Sequence, residues 1–178
     1  MSASRPTRTE VTAALTAPGE RHELQTIAVG GVPCRVFVHA PESLRAMYAD
    51  AVSDRDFIVY GDERMTFAQT WAEAGRIGAV LVSEFGVVPG DRVAIAMRNY
   101  PEWMTTFAAV TSIGAIAVAM NALWGPEEME FGLRDCGATV LVPTRSGSIG
   151  CDRSRRSWDS GRSSCGRRAH RMCRRWLR

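Results

Sequence analysis

Between Asp91 and Val142, short apolar runs alternate with longer stretches of helical character: "DRVAIAMRN", "PEWMTTFAAVTSIG", "AIAVAMN", "PEEMEFGLRDCG" and "ATVLV". No other feature constrains the fold as much. Two residues can join antiparallel strands, whereas parallel neighbours need a crossover of about a dozen, usually a helix. The intervening stretches have that length, and right-handed crossovers would lay the strands side by side in one sheet. Few polar residues interrupt the runs, which suits strands covered on both faces. The expected class is therefore α/β, a partial doubly wound parallel sheet with flanking helices. Pro101 and Pro126 stand near helix starts and Gly114 and Gly137 near helix ends, so turn chemistry agrees with hydrophobic period.

One segment could be mistaken for a membrane span. "WMTTFAAVTSIGAIAVAMNALWGP", Trp103 to Pro126, carries no charge and meets the requirement of about 20 residues for crossing a bilayer. Thr105, Thr106, Thr111, Ser112, Gly114 and Asn121 dilute it, and Gly114 divides it. A buried helix followed by a buried strand is the expectation, without a transmembrane segment.

Upstream, "ELQTIAVGGVPCRVFVHA" reads as a β-hairpin around Gly30 and Gly31. Leu24, Thr26, Ala28 and Val32, Cys34, Val36, Val38 set its sides across a two-residue turn. "APESLRAMYADAV" predicts a helix with Pro41 in its first turn and Leu44, Met47, Tyr48 and Ala51 on one face. "DFIVYGDERMTF" predicts a second hairpin, with strands Phe57 to Tyr60 and Met65 to Phe67 around Gly61 and Asp62. In the next segment Phe67, Trp71, Ala74, Ile77, Gly78, Leu81 and Phe85 recur with helical period. Thr66 is its expected N-cap, Gln69 completes a capping box, and Gly86 is the expected terminator.

Charge is distributed unevenly. Residues 1–142 carry 11 Arg against 17 Asp and Glu, a net of −6, while residues 143–178 carry 11 Arg against 2 Asp, a net of +9. All 22 basic residues are Arg, so a catalytic or phosphate-orienting lysine is excluded. Residues 1–21 build neither an apolar period nor the h-region of a secretory signal; they are expected to be disordered, and the protein cytoplasmic. The 5 Cys lack paired spacing, which argues against a disulfide framework.

The segment from Met65 to Val142 resembles the start of the large N-terminal domain of the AMP-forming acyl-CoA synthetases, members of the adenylate-forming ligase superfamily. Met65, Thr66 and Phe67 match the family's strand before a long helix, "GVVPGDRVAI" its loop into a central strand, and "NYPEW" its helix opening. "GAIAVAMN" and "LRDCGATVLV" match its next two strands, and the leader around "APESLRAM" is similar to the fatty-acid ligase branch. The resemblance implies a partial N-terminal domain over residues 22–142. In the intact family a carboxylate, here of a fatty acid, attacks the α-phosphate of ATP, releasing pyrophosphate; the thiol of CoA then displaces AMP from the acyl-adenylate. Both steps build negative charge met by hydrogen-bond donors, cations and Mg²⁺. The family's phosphate loop ending in Pro-Lys-Gly, its Mg²⁺- and adenine-binding segment, its ribose-binding Asp and its C-terminal lysine have no counterpart here. No catalytic, cofactor-binding or metal residue is therefore assigned to this chain, and it is expected to be inactive. Trp103 and Trp124 are expected to fill core or interface space.

Residues 143–178, "PTRSGSIGCDRSRRSWDSGRSSCGRRAHRMCRRWLR", read differently. From Gly150 to His170 there is no Val, Ile, Leu, Phe or Tyr to offset an ordering cost of about 1–2 kcal/mol per residue. A disordered basic tail is expected, out of frame from near Pro143, because GC-rich codons read out of frame yield Arg, Ser, Gly, Cys and Trp. Thr144 to Gly150 imitates a phosphate loop through Ser146, Gly147, Ser148 and Gly150 but lacks the Pro and Lys. The rival expectations are a non-catalytic interaction fragment through unpaired sheet edges and nucleic-acid binding through the Arg-rich tail, where Trp158 and Trp176 could stack on bases; the acidic body and the lack of a docking module count against nucleic acid. Cys151, Cys165, His170 and Cys173 lack the close Cys pair of a zinc site.

Overall fold

The computed structural model describes residues 5–143, so the expected tail lies outside the described residues except for Pro143, which closes the last strand. The chain divides into two compact units, Met1–Ser43 and Leu44–Arg178. The expected 22–142 span is thus shared between two units.

The first unit holds α1 (Arg8–Leu15), β1 (Leu24–Val29) and β2 (Val32–Phe37). Helix α1 stands within residues 1–21 and corrects the expectation of disorder there over Arg8–Leu15 alone. It has no buried residue, so no apolar period announces it, and its cap is the visible source of its order. The Thr7 hydroxyl accepts from the Glu10 backbone N–H at 3.3 Å, and the Glu10 carboxylate accepts from the Thr7 N–H at 2.7 Å.

Strands β1 and β2 pair antiparallel with Val29 opposite Val32 and Ile27 opposite Cys34. The hairpin is as expected, but its sides are not. Val32, Cys34 and Val36 share a face with Val29, Ile27 and Gln25, while Leu24, Thr26 and Ala28 lie opposite Phe37, Arg35 and Pro33. A two-residue turn pairs its flanking residues directly, which sets the parity of every later pair.

The second unit begins with α2 (Leu44–Asp50), then β3 (Asp56–Tyr60) and β4 (Glu63–Thr66) as an antiparallel hairpin. Helix α2 starts with the first residue of its apolar period, and Pro41 precedes it. Strand β4 lies earlier than expected, because the Gly61–Asp62 turn pairs Tyr60 with Glu63 and Thr66 already caps α3 (Phe67–Ser83). That cap and its Gln69 partner are as expected. Gly86 ends the helical path, its N–H donating to the Val82 carbonyl at 3.1 Å.

Next come β5 (Arg92–Ala96), α4 (Pro101–Ser112), β6 (Ile116–Ala119), α5 (Pro126–Cys136) and β7 (Val140–Pro143). The three strands form one parallel sheet in the order β6-β5-β7. From β5 the chain crosses to one neighbour, and from β6 it returns across β5 to the other, so α4 and α5 cover opposite faces. Side-chain parity follows. Val93, Ile95, Val140 and Val142 join Ala74, Ile77 and Leu81 of α3 and Ala109 and Val110 of α4 in one core. Ala94, Ala96 and Leu141 join Met120 and the α5 residues Met129 and Leu133 in the other. The partial doubly wound sheet is present; β5 and β7 are buried on both faces, whereas Ile116 of β6 is 46% exposed.

The junctions from α4 to β6 and from α5 to β7 use one device. Gly114 and Gly137 adopt φ of +78° and +64°, where an added Cβ is strained. The Gly114 N–H donates to the Thr111 carbonyl and the Ala115 N–H to that of Val110; Gly137 and Ala138 repeat the pair on Arg134 and Leu133. These are Schellman closures. Buried Thr105 and half-buried Thr111 donate their hydroxyls to the Glu102 and Phe107 carbonyls of their own helix. Among the described residues no helix is long and apolar enough to cross a membrane.

Candidate functional site

In open α/β sheets ligands bind beyond the carboxyl ends of the strands. Two loops build that edge among the described residues: Met97 to Tyr100 after β5, and Met120 to Gly125 after β6. Both lead into a helix opened by proline, Pro101 and Pro126.

After β5, Met97 is buried and Arg98 and Asn99 are exposed. The Tyr100 N–H donates to the Arg98 carbonyl at 2.7 Å, and the Tyr100 ring meets Tyr60 edge-on with centroids 5.7 Å apart. After β6, the Asn121 side-chain oxygen accepts from the Leu123 N–H at 3.0 Å, an Asx turn that re-aims the chain. Trp124 then lies against α5, where a Cβ added at Gly132 would come within 2.7 Å of its ring and 2.8 Å of the Met120 methyl. The absent side chain of Gly132 provides a notch for both. Leu123 remains 78% exposed. Trp103 stacks on Phe107 at 5.3 Å and packs on the core as expected, whereas Trp124, 38% exposed, lies at the surface against α5.

The chemistry available at this edge is narrow. Its two loops contain no Ser, Thr, Cys, His, Asp or Glu, and Arg98 is their one charged residue. General acid–base or nucleophilic catalysis needs a positioned pair that these residue types do not supply. A helix N-terminus attracts phosphate through its free N–H groups, yet both helices carry carboxylates there. Glu102 sits in the first turn of α4, Glu127 and Glu128 in that of α5, and Glu128 accepts from the Gly125 N–H at 2.9 Å. Negative charge at both openings opposes a triphosphate. Among the described residues no group of three or more His, Cys, Asp and Glu could hold a metal. The described residues thus do not fit ATP with Mg²⁺, and no step through either is derived. Thr144–Gly150, Trp158, Trp176, Cys151, Cys165, His170 and Cys173 all lie outside the described residues.

Sequence reasoning missed the pairing of Gly132 with Trp124, which joins residues eight apart across a turn. It missed the Asx turn as well, for which "NALWGP", with Asn just after an apolar strand, was an available signal.

A strand order of β6-β5-β7 with helices on both faces defines the second unit as an open α/β fold of the doubly wound kind. The AMP-binding enzyme family matches residues 46–165, and the chain belongs to it. That span starts within α2 and includes residues beyond β7. Over 81 residues the chain is 40% identical to the long-chain-fatty-acid–CoA ligase FadD13 of Mycobacterium tuberculosis, covering 46% of this chain and 16% of that protein. It is 33% identical over 104 residues to the long-chain-fatty-acid–CoA ligase of Haemophilus influenzae, covering 57% and 18% respectively. The chain spans less than a fifth of the length of these two relatives. The N-terminal domain of FACL13 from M. tuberculosis superposes with a TM-score of 0.61 at 28% identity, over 70% of this chain and 32% of that one. The anthranilate CoA ligase AuaEII, solved with anthranoyl-AMP, gives 0.60 at 30% identity over 64% and 22%. The chain is thus similar to part of the N-terminal region of adenylate-forming ligases.

Proposed function

We propose that the chain is the opening part of an AMP-dependent acyl-CoA ligase. Its intact form would activate a carboxylic acid, of the fatty-acid class, with ATP and Mg²⁺ and transfer the acyl group to the thiol of CoA. The carrying observation is the family match over residues 46–165; similarity to ligases for long-chain fatty acids supports the acid class.

By itself this chain supplies the scaffold of that chemistry and performs neither step. It has no lysine to orient a triphosphate, and the carboxyl edge of its sheet holds carboxylates where phosphate oxygens would need donors. A domain fragment over 22–142 followed by an out-of-frame tail remains our reading of its organisation, and resequencing the locus across Pro143 checks it: an uninterrupted parental frame through the tail refutes it. The test of function is acid-dependent pyrophosphate release by the purified chain beside the conceptual full-frame version. Release by the full-frame protein alone is expected. Adenylate formation by the short chain refutes inactivity, and silence of the full-frame protein towards every carboxylic acid tried refutes the class of reaction.

A further inference from the structure

Helix α5 turns an acidic and aromatic stripe outward. Its inner face is Met129 and Leu133. On the opposite face, four positions apart, stand Glu127, Phe131 and Asp135, all exposed, Phe131 at 70%. With 4 carboxylates against 1 Arg, a net of −3, α5 is the most acidic element among the described residues.

The chain leaves the sheet beside that helix. Strand β7 ends at Pro143, paired with Ala96 at the carboxyl edge, and α5 opens at Pro126 from the loop on the same edge. The 35 residues after Pro143 carry 11 Arg against 2 Asp, opposite in sign to the body. Their first run of Arg is "RSRRSW", residues 153–158, in which Arg153, Arg155 and Arg156 precede Trp158. Ten residues from Pro143 to Arg153 span up to about 33 Å when extended, whereas an 11-residue helix is only about 16 Å long. The whole stripe lies within reach.

We propose that residues 153–158 dock on this face of α5 within the same molecule, the guanidinium groups on Glu127 and Asp135 and the Trp158 indole on the Phe131 ring. Opposite charge selects this occupant, since guanidinium and carboxylate pair by charge-assisted hydrogen bonds. The α5 face of a second copy has the same negative sign and is repelled. A tether holds the segment near its face at high effective concentration, so weak exposed pairs are sufficient to populate the contact. The contact goes beyond the family reading and does not depend on it, and it draws on arginines that nucleic-acid phosphates would otherwise take.

The test is paramagnetic NMR on the full 178-residue chain, with a nitroxide on Cys151 and the other 4 Cys changed to Ser. At low salt the label is expected to broaden the amides of 127–135, and at about 0.5 M salt, where exposed charges are screened, to spare them. Glu127→Gln combined with Asp135→Asn is expected to reduce the broadening about threefold. Broadening confined to the residues leading up to Pro143, broadening of α5 indifferent to salt and to that double variant, or broadening that crosses from labelled to unlabelled chains in a mixture each overturns the proposal, the last in favour of a second copy. An oligothymidylate that binds the chain without shifting the 127–135 amides overturns it too, assigning the arginines to nucleic acid. Where circular dichroism shows that loss of the half-buried Cys136 unfolds the chain, the native chain serves. Its 127–135 amide shifts are expected to move with salt, and those of a chain with Arg153→Gln, Arg155→Gln and Arg156→Gln to stay still; equal movement overturns the proposal.

Discussion

Thr66 and Gln69 hold the start of α3 reciprocally: the Gln69 backbone N–H donates to the Thr66 hydroxyl at 3.1 Å, and the Thr66 N–H donates to the Gln69 side-chain oxygen at 2.9 Å. Helix α3 contributes Ala74, Ile77 and Leu81 to the larger core, so its first turn bears on the whole second unit. Thr66→Ala removes one acceptor and is expected to lower stability by about 1 kcal/mol. Urea unfolding followed by circular dichroism checks this, with an unchanged m-value expected.

Leu81 is fully buried between α3 and the sheet. Leu81→Ala deletes methyl groups in a place walled by secondary structure and is expected to cost about 2–5 kcal/mol. Val82→Ala, one position on at a site 49% exposed, should change stability by only about 0.5 kcal/mol or less. The difference in urea midpoint between the two variants is the measurement.

The notch at Gly132 makes an opposite-signed prediction to ordinary helix propensity. Alanine in an open helix position gains about 1 kcal/mol over glycine, but here its methyl would meet Trp124 and Met120 at under 3 Å. Overpacking of this kind costs about 1–3 kcal/mol, so Gly132→Ala is expected to destabilise and to shift Trp124 fluorescence. Gly75→Ala in α3, where nothing lies within 4 Å, should stabilise.

At α1 the dependence is on pH. The backbone and hydroxyl donors of Thr7 hold the Glu10 carboxyl below its ordinary value. A carboxylate whose folded pKa is depressed adds stability above its unfolded pKa and loses it as pH falls through the folded one. Order in Arg8–Leu15 is therefore expected to decline through that acidic window, and Glu10→Gln to remove the decline. Amide shifts of α1 followed by NMR against pH measure it.

What the sequence made legible was local. Thr66 with Gln69, Pro101, Pro126, Gly114 and Gly137 each announce an element boundary through their own backbone chemistry, and each stands where expected. Parity of β1 and β2 was misread because it depends on turn length rather than on apolar alternation. Helix α1 was invisible because a helix that buries nothing carries no period. At the candidate site, Gly132 and Trp124 meet only once α5 has folded back on the loop before it, so neither residue signals the other along the chain.

The Schellman closures at Gly114 and Gly137 leave almost no slack before β6 and β7. A residue inserted at Gly137 would put β7 out of phase by one, exchanging Val140 and Val142 with Leu141 between the two layers of packing. Both hydrophobic compartments would then misfit at once. Each glycine is thus a phase marker for the sheet, and changes of length are better tolerated in the loops at the opposite, carboxyl edge.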